Sequence, residues 1–495
     1  MADSAARTLA ATSAVLGIDL GTSSVKAAFV GLDGQLLGLG RGSYPTLGGL
    51  PGVAEQLPDD WWRATVRAVR EARAASGGAG RTRLLGIAVV GQGPTTVVLD
   101  ASGASLGTAI TWLDSRASGT AIALSDSIGV PTWQLGSLPH ERWLALNDPA
   151  RHAAASLFLA PWDWLTMRLS GVAVRAVPPV SGHPTDATLR AGGADPKRFG
   201  GAVEWATQVG VTLADPSAEL GIPAGTPVIA GGNDALASFH GAGLVDAGDA
   251  VDTGGTSGGL GVYWDHELEV PGTYRAPAGL PGLWLYGGAM NAIGRSVDWV
   301  SDLLAPGGGA AADTLLAEAG AAPPGAAGLV FLPYLAGERA PIDDDRARGV
   351  FAGLSLAHRR GHLARAVLEA GGFALRHVAE PIRERGIHLE RLVMSGATDR
   401  LRPAAQMRAD ILGLPVDIPA VPDTAAVGAG ILAAIGTGAH PDARTAIRAM
   451  VRITARLEPR DETRARYDEM YAIYREFYPR TADLMHRLAD IGESS

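Results

Sequence analysis

AVLGIDLGTSSVKAAFVGLDG, residues 14–34, decides the fold. An apolar run from Ala14 to Leu20 ends on Gly21-Thr22-Ser23, a second run leads away from the turn, and Asp33-Gly34 marks a hairpin into a third. The pattern predicts strand, tight turn, strand, turn, strand. It returns in DAVDTGGTSGGLGVYWD, residues 249–265, around Gly255-Thr256-Ser257. Glycine lets the backbone turn sharply and approach a ligand, while Thr and Ser hydroxyls and nearby N–H groups bind phosphate oxygens. A single Gly-Thr-Ser turn is an ordinary turn sequence. Repeated in matching contexts, it predicts two related lobes whose loops face one another across a nucleoside triphosphate.

Outward from these turns, PDDWWRATVRAVREARAAS (58–76) opens on Pro58-Asp59 and carries Trp62, Val66, Val69 and Ala72 along one face, which predicts a helix. LLGIAVV (84–90) reads as a buried strand ending at Gly91-Gln92-Gly93-Pro94. The stretch from roughly 115 to 220 alternates loops and helices and is rich in tryptophan. PVIAGG (227–232) reads as a strand and DALASFHGAGL (234–244) as a helix, with Asn233 and Asp234 at their junction. A second meander begins at Asp249, and the Pro- and Gly-rich stretches 305–310 and 320–328 read as loops. LVFLPYL (329–335) and RLVMSG (391–396) are strand-like; residues 361–385 and about the last fifty are helical. Parallel strands, hairpins and helices together predict an α/β chain of two lobes.

At 495 residues the chain exceeds what one hydrophobic core supports, so two domains of about 200 to 250 residues are expected. Nothing resembles a span of about 20 apolar residues, and the first residues carry Asp3 and no apolar block, against a secretory leader. The absence of cysteine excludes disulfides and thiolate metal sites and fits a reducing cytoplasm. With 42 basic against 51 acidic residues, a net charge of −9 and no dense basic run, neither nucleic acid nor membrane is an expected partner. None of the 11 histidines falls in a metal-ligand pattern.

GIDLGTSSVKAAF, AEQLPDDWW, ITWLDSRA, AGGNDALASFHGAGL, GERAPIDDDRARGVFAGLSLAH, SGAT followed by DILGLPV, and YDEMYAIYREFYP stand in this order along nearly the whole chain. In that order they resemble the blocks of the FGGY carbohydrate kinase family. The resemblance implies two ribonuclease H-like (actin-like ATPase) lobes with a cleft between them. ATP would lie mainly on the second lobe and the sugar mainly on the first. It also implies Mg2+-assisted phosphorylation of a sugar or polyol hydroxyl. The implied boundaries are 14–244 for the sugar-side lobe, 245–438 for the nucleotide-side lobe, and 439–495 for a helical segment packed on the lobes. Because many members form dimers, the resemblance also leaves a homodimer open.

Asp234, where a strand meets a helix, can accept the proton of an attacking hydroxyl or cap the helix; the resemblance implies the catalytic role. Asp19, just before the first turn, either stabilises that turn or, as the resemblance implies, acts in catalysis through hydrated Mg2+, an ion that takes one or two protein carboxylates and keeps its waters. Gly21, Thr22, Ser23, Gly255, Thr256 and Ser257 are the expected phosphate contacts. Lys26 follows the turn on a strand, which places it poorly for a phosphate clamp. Gly396 and Ala397 match the loop beside the adenine, although the family has a longer glycine run there, and Gly294 in NAIGRSVDW matches a position near the nucleotide.

On the sugar side, Gln92 and Trp112 either wall the pocket or pack the core, and Asn233 and Asp234 complete the expected substrate set with Gly93 and Pro94. The resemblance places an Arg-Glu pair at 93–94 in glycerol kinases and Met-His in xylulokinases; this chain has neither. A roomier, less charged pocket fits a five-carbon ketose or a larger polyol rather than glycerol. D-xylulose leads because the 337–351 and 467–479 blocks most resemble xylulokinases. L-ribulose, L-xylulose, xylitol and erythritol stay open, as does an actin- or chaperone-like ATPase or a sugar-binding regulator without catalysis. Asp114 and Arg116 read as structural.

Overall fold

The structure, a computed structural model, describes residues 12–50, 52–78, 81–177, 183–255, 257–396 and 401–493. The first apolar runs form β1 (Thr12–Leu20), β2 (Ser24–Gly31) and β3 (Leu36–Ser43), an antiparallel meander. Ala14 to Leu20 are buried without interruption, which is why β1 reads as a continuous apolar run and not as an alternating one. β4 (Thr82–Gly91) pairs parallel with β1. β5 (Gln208–Val211) and β6 (Pro227–Asn233) pair antiparallel, and β6 runs parallel to β4. The order across this sheet is β5-β6-β4-β1-β2-β3.

The helix Pro58–Ala75 packs on this sheet through Trp61, Trp62, Ala64, Ala68, Val69 and Ala72, while Val66 is only partly buried. A second helix, Thr424–Gly436, lies against β1 so closely that a Cβ on Gly17 would stand 1.9 Å from the Ala426 carbonyl oxygen and 2.6 Å from the Gly430 nitrogen. The chain accordingly packs as two units. One ends at Gly241 and takes in Asp423–Arg452; the other runs from Ala242 to Pro422 and resumes at Ile453. The expected division at 244 and 438 differs from these units chiefly over 423–452, whose helix packs on β1. Between β4 and β5 an insertion has its own apolar cluster, including Val98, Leu135, Leu138, Phe158, Leu189 and Phe199.

The second unit repeats the plan of the first. β7 (Asp249–Asp252), β8 (Gly259–Trp264), β9 (Tyr274–Pro277) and β10 (Trp284–Ala289) form the meander. β11 (Arg391–Met394) runs parallel to β7 and β12 (Val416–Pro419) parallel to β11, and β13 (Ile453–Leu457) closes the edge antiparallel. The order is β9-β10-β8-β7-β11-β12-β13. LVFLPYL contributes only Val330–Leu332, paired with Val350–Ala352 outside this sheet. The expected loops at 305–310 and 320–328 are shorter than predicted, because the alanine-rich stretch Gly309–Ala321 between them is helical. Arg360–Glu384 and Asp461–Glu493 are the two long helices of this unit. Buried between them, Arg365 donates to Glu369 Oε1 at 2.6 Å, and the Tyr467 hydroxyl donates to the same oxygen at 2.9 Å. Among the described residues no helix is long and apolar enough to cross a membrane.

Candidate functional site

In an open α/β sheet ligands gather beyond the carboxyl ends of the parallel strands. In the first unit those ends are Leu20, Gly91 and Asn233, and the Gln92 N–H donates to the Leu20 carbonyl at 2.9 Å, so Asp19, the 21–23 turn, Gln92 and Asp234 share one edge. Asp19 is 3% exposed. Its Oδ2 meets Lys26 Nζ at 3.4 Å, while its Oδ1 is buried with no partner. Lys26 Nζ also stands 3.7 Å from Asp423 Oδ1, and Arg41 Nη2 is 2.6 Å from Asp423 Oδ2. Lys26 thus turns onto the carboxylates that flank it, as its place on β2 opposite Asp19 requires. Burial raises the Asp19 carboxyl above its usual range, and Lys26 only partly offsets this. Burial also pulls the Lys26 ammonium down, but Asp19 and Asp423 outweigh it and leave the group raised.

Asp234 opens the helix Asp234–Gly241 and is half-buried. The Ala235 N–H donates to Asp234 Oδ1 at 2.7 Å and to Asn233 Oδ1 at 3.0 Å. Burial first, and the negative charge of Asp19 second, push the Asp234 carboxyl up to about 7, against the pull of the Ala235 N–H and Lys26. A carboxylate held near neutrality at a strand's exit is poised to take a proton from an alcohol.

The 21–23 turn is fixed from behind by groups that the motif itself does not announce. The Gly21 N–H donates to the Ser24 carbonyl at 3.1 Å, and the Tyr44 hydroxyl donates to the Gly21 carbonyl. Gln56, with no exposed surface, is the hub: its Nε2 donates to the Thr22 carbonyl and to Thr46 Oγ1, each at 2.7 Å. Its Oε1 accepts from Trp61 Nε1 at 3.0 Å and from Gln92 Nε2 at 2.7 Å. Trp112 Nε1 donates to Thr22 Oγ1 at 3.0 Å, and Ser23 is exposed. Gln92 Oε1 is buried without a partner. A Cβ on Gly93 would lie 3.0 Å from the Trp162 ring and 3.3 Å from the Asn233 amide nitrogen, so Gly93 and Asn233 are neighbours and Trp162 covers the place of a side chain at 93. Asp114 and Arg116 pair with each other. Arg116 Nε lies 2.9 Å from Asp114 Oδ1, and Asp114 Oδ2 accepts the Ala54 N–H at 3.0 Å.

In the second unit the parallel strands β7 and β11 end side by side, Asp252 opposite Met394. Gly254 (φ 59°) and Gly255 (φ 68°) are both left-handed, and a Cβ on Gly254 would meet the Ser395 carbonyl oxygen at 2.4 Å. Only glycine fits there. The Ser257 carbonyl accepts the Ile293 N–H at 3.0 Å, which sets Gly294 beside the turn, and the Ser395 N–H donates to the Asp252 carbonyl at 3.0 Å, which sets Gly396 there too. Gly255, Ser257, Gly294 and Gly396 therefore converge at one strand edge. Thr256 and Ala397 lie outside the described residues. Sequence reasoning missed Gln56, Tyr44 and Asp423. For Gln56 a signal existed, since AEQLPDDWW carries it, but a glutamine's role as hub depends on partners distant in the chain.

The profile of the FGGY family of carbohydrate kinases matches this chain twice, its N-terminal domain over residues 14–241 and its C-terminal domain over 250–437. The xylulose kinase of Bacillus subtilis (strain 168) is 29% identical over 492 residues, spanning 95% of this chain and 97% of that protein. The xylulose kinase of Escherichia coli (strain K12) is 30% identical over 446 residues, spanning 86% and 90%. The crystal structure of xylulose kinase from Rhodospirillum rubrum matches with a TM-score of 0.80 at 30% identity, over 96% of this chain and all of that one. With two actin-like ATPase lobes built on one repeated plan and both family domains in register, the chain belongs to the FGGY family of carbohydrate kinases and is an ATP-dependent sugar kinase.

Proposed function

We propose that the acceptor is a neutral pentulose, D-xylulose first, and that Asp234 takes the proton of the attacked hydroxyl. The observation that carries this reading is the half-buried Asp234 carboxyl, held near neutrality beside Asp19 at the exit of β6. The similarity to xylulose kinases over nearly the whole chain supports the choice of sugar. So does the neutral chemistry around Gly93: the Asn233 amide, the Trp162 ring and the unpartnered Gln92 carbonyl suit hydroxyls and offer no cation for an acidic sugar. Gln92, Gly93, Pro94, Trp112 and Asn233 would then bound the acceptor.

Gly21, Thr22 and Ser23 in the first unit and Gly255, Thr256 and Ser257 in the second are the proposed phosphate contacts, with Gly294, Gly396 and Ala397 on the nucleoside side. Thr22 suits this because its carbonyl and its hydroxyl are already held by Gln56 and Trp112, so the turn needs no rearrangement to present its hydroxyl. Asp19 fits hydrated Mg2+: its buried Oδ1 lacks a partner, and one carboxylate completed by waters and phosphates is a usual arrangement for this ion. Bound with ATP, the ion would neutralise phosphate charge. Asp19 would also keep Asp234 basic through their mutual repulsion.

The deciding experiment is a coupled assay of ADP formation with D-xylulose, L-xylulose, L-ribulose, xylitol, erythritol, glycerol and gluconate. D-xylulose should give the highest kcat/KM, and glycerol and gluconate the lowest. A preference for gluconate would overturn the neutral-acceptor reading.

A further inference from the structure

Asp252 ends β7 at 1% exposure, and Arg408, in the helix Arg402–Leu412, is 6% exposed. Arg408 Nε donates to Asp252 Oδ2 at 2.5 Å, its Nη1 donates to the Ala404 carbonyl at 3.4 Å, and its Nη2 closes against Gly371, where a Cβ would stand 3.0 Å away. Taking two charges out of water is costly, and a buried pair of this kind usually stabilises no better than two packed apolar side chains. What an apolar pair cannot do is hold the turn. Asp252 Oδ1 accepts the Gly254 N–H at 3.1 Å, and the Asp252 carbonyl accepts the Ser395 N–H at 3.0 Å, so one residue fixes both loops that converge at this strand edge. That restraint matters at Gly254, because only glycine fits beside the Ser395 carbonyl and glycine has the most other backbone conformations open to it.

We propose that Arg408 is a positioning residue for nucleotide binding: by anchoring the Asp252 carboxylate it holds Gly254 and Gly255 in their left-handed, ligand-ready shape and sets ATP affinity without touching ATP. This rests on the reading of that turn as a phosphate contact. The arrangement acts on ground-state grip and not on proton transfer, so it should separate KM for ATP from kcat and from KM for the sugar.

The test compares wild type, R408K, and the double variant D252L/R408L by equilibrium binding of a non-hydrolysable ATP analogue, by steady-state kinetics and by thermal unfolding. In D252L/R408L the buried charges are gone, so the unfolding midpoint should hold or rise, yet Gly254 loses its acceptor and analogue affinity should fall about tenfold or more. R408K keeps the charge but not the planar fork, and should weaken the analogue several-fold with little change in kcat or sugar KM. A stably folded D252L/R408L or R408K protein with wild-type analogue affinity overturns the proposal. If the double variant fails to fold, R408K decides alone. Gly255→Val separates the underlying reading: if it leaves analogue binding intact, the turn is not a phosphate contact and the parent assignment falls, whatever Arg408 does.

Discussion

If Asp234 takes the proton as proposed, shifting the pH from 8 to 6 should remove most of the activity. Asp234 is pushed from 3.8 to about 7 by burial and by Asp19. As a proton acceptor it must be ionised, and a group of pKa about 7 is roughly nine-tenths ionised at pH 8 and one-tenth at pH 6. kcat/KM for the sugar should therefore fall about tenfold over that interval, with unit slope in log kcat/KM below pH 7. The same displacement acts on stability with the opposite sign. The folded state holds this proton more tightly than the unfolded chain, so the contribution is fully present below pH 3.8 and lost as pH rises through about 7. Activity should rise across the window in which this group's stabilisation is lost.

Lys26 pulls the Asp234 carboxyl down, so K26M should move the acidic limb to higher pH, while D234N should lose on the order of 10²- to 10⁴-fold in turnover and lose the limb with it. The assay is initial-rate ADP formation at subsaturating sugar and saturating ATP, from pH 5.5 to 8.5. A flat profile, a limb that survives in D234N, or a K26M limb displaced toward acid would refute the reasoning.

Q56L leaves Trp61 Nε1 and Gln92 Nε2 buried without their partner, at ~1–3 kcal/mol each, and takes a donor from the part-buried Thr22 carbonyl; chemical denaturation should show a loss of at least about 2 kcal/mol, together with a raised KM for the sugar. G17A must displace the helix Thr424–Gly436, since the new Cβ would meet backbone atoms at 1.9 and 2.6 Å. Overpacking of this kind costs ~1–3 kcal/mol or more, and a lowered midpoint in differential scanning calorimetry, or insoluble protein, is the expected result.

The meander at 12–43 and the strand and helix at 227–241 were legible because their signals are local: continuous apolar runs, a Gly-Thr-Ser turn, an Asp-Gly hairpin, and a strand-to-helix junction at Asn233-Asp234. The helix Thr424–Gly436 was not assignable to the first unit, because TAAVGAGILAAIG is apolar all round and no polar face points to its partner. Its seat on Gly17 is a contact between residues some four hundred apart. The insertion at 92–207 was legible only as alternating loops and helices, since its cluster joins short elements whose periodicity never runs long enough to read. In the site, the carboxylates and the turns stood out by type and context. Gln56, Asp423 and Arg408 did not, because each matters through a partner distant in sequence; the Arg408–Asp252 pair spans 156 positions. Lys26 shows the converse: its place on a strand just after the turn argued against a phosphate clamp, and the structure, which sets it opposite Asp19, turns it onto Asp19 and Asp423.

The most direct measurement is ADP release from ATP with and without D-xylulose, in wild type and D234N, with sugar phosphate followed in the same samples. Wild type should release one ADP for each sugar phosphate formed and little without sugar, and D234N should form neither at an appreciable rate. ADP release that proceeds equally without sugar, or a D234N protein that phosphorylates it at the wild-type rate, would contradict the account.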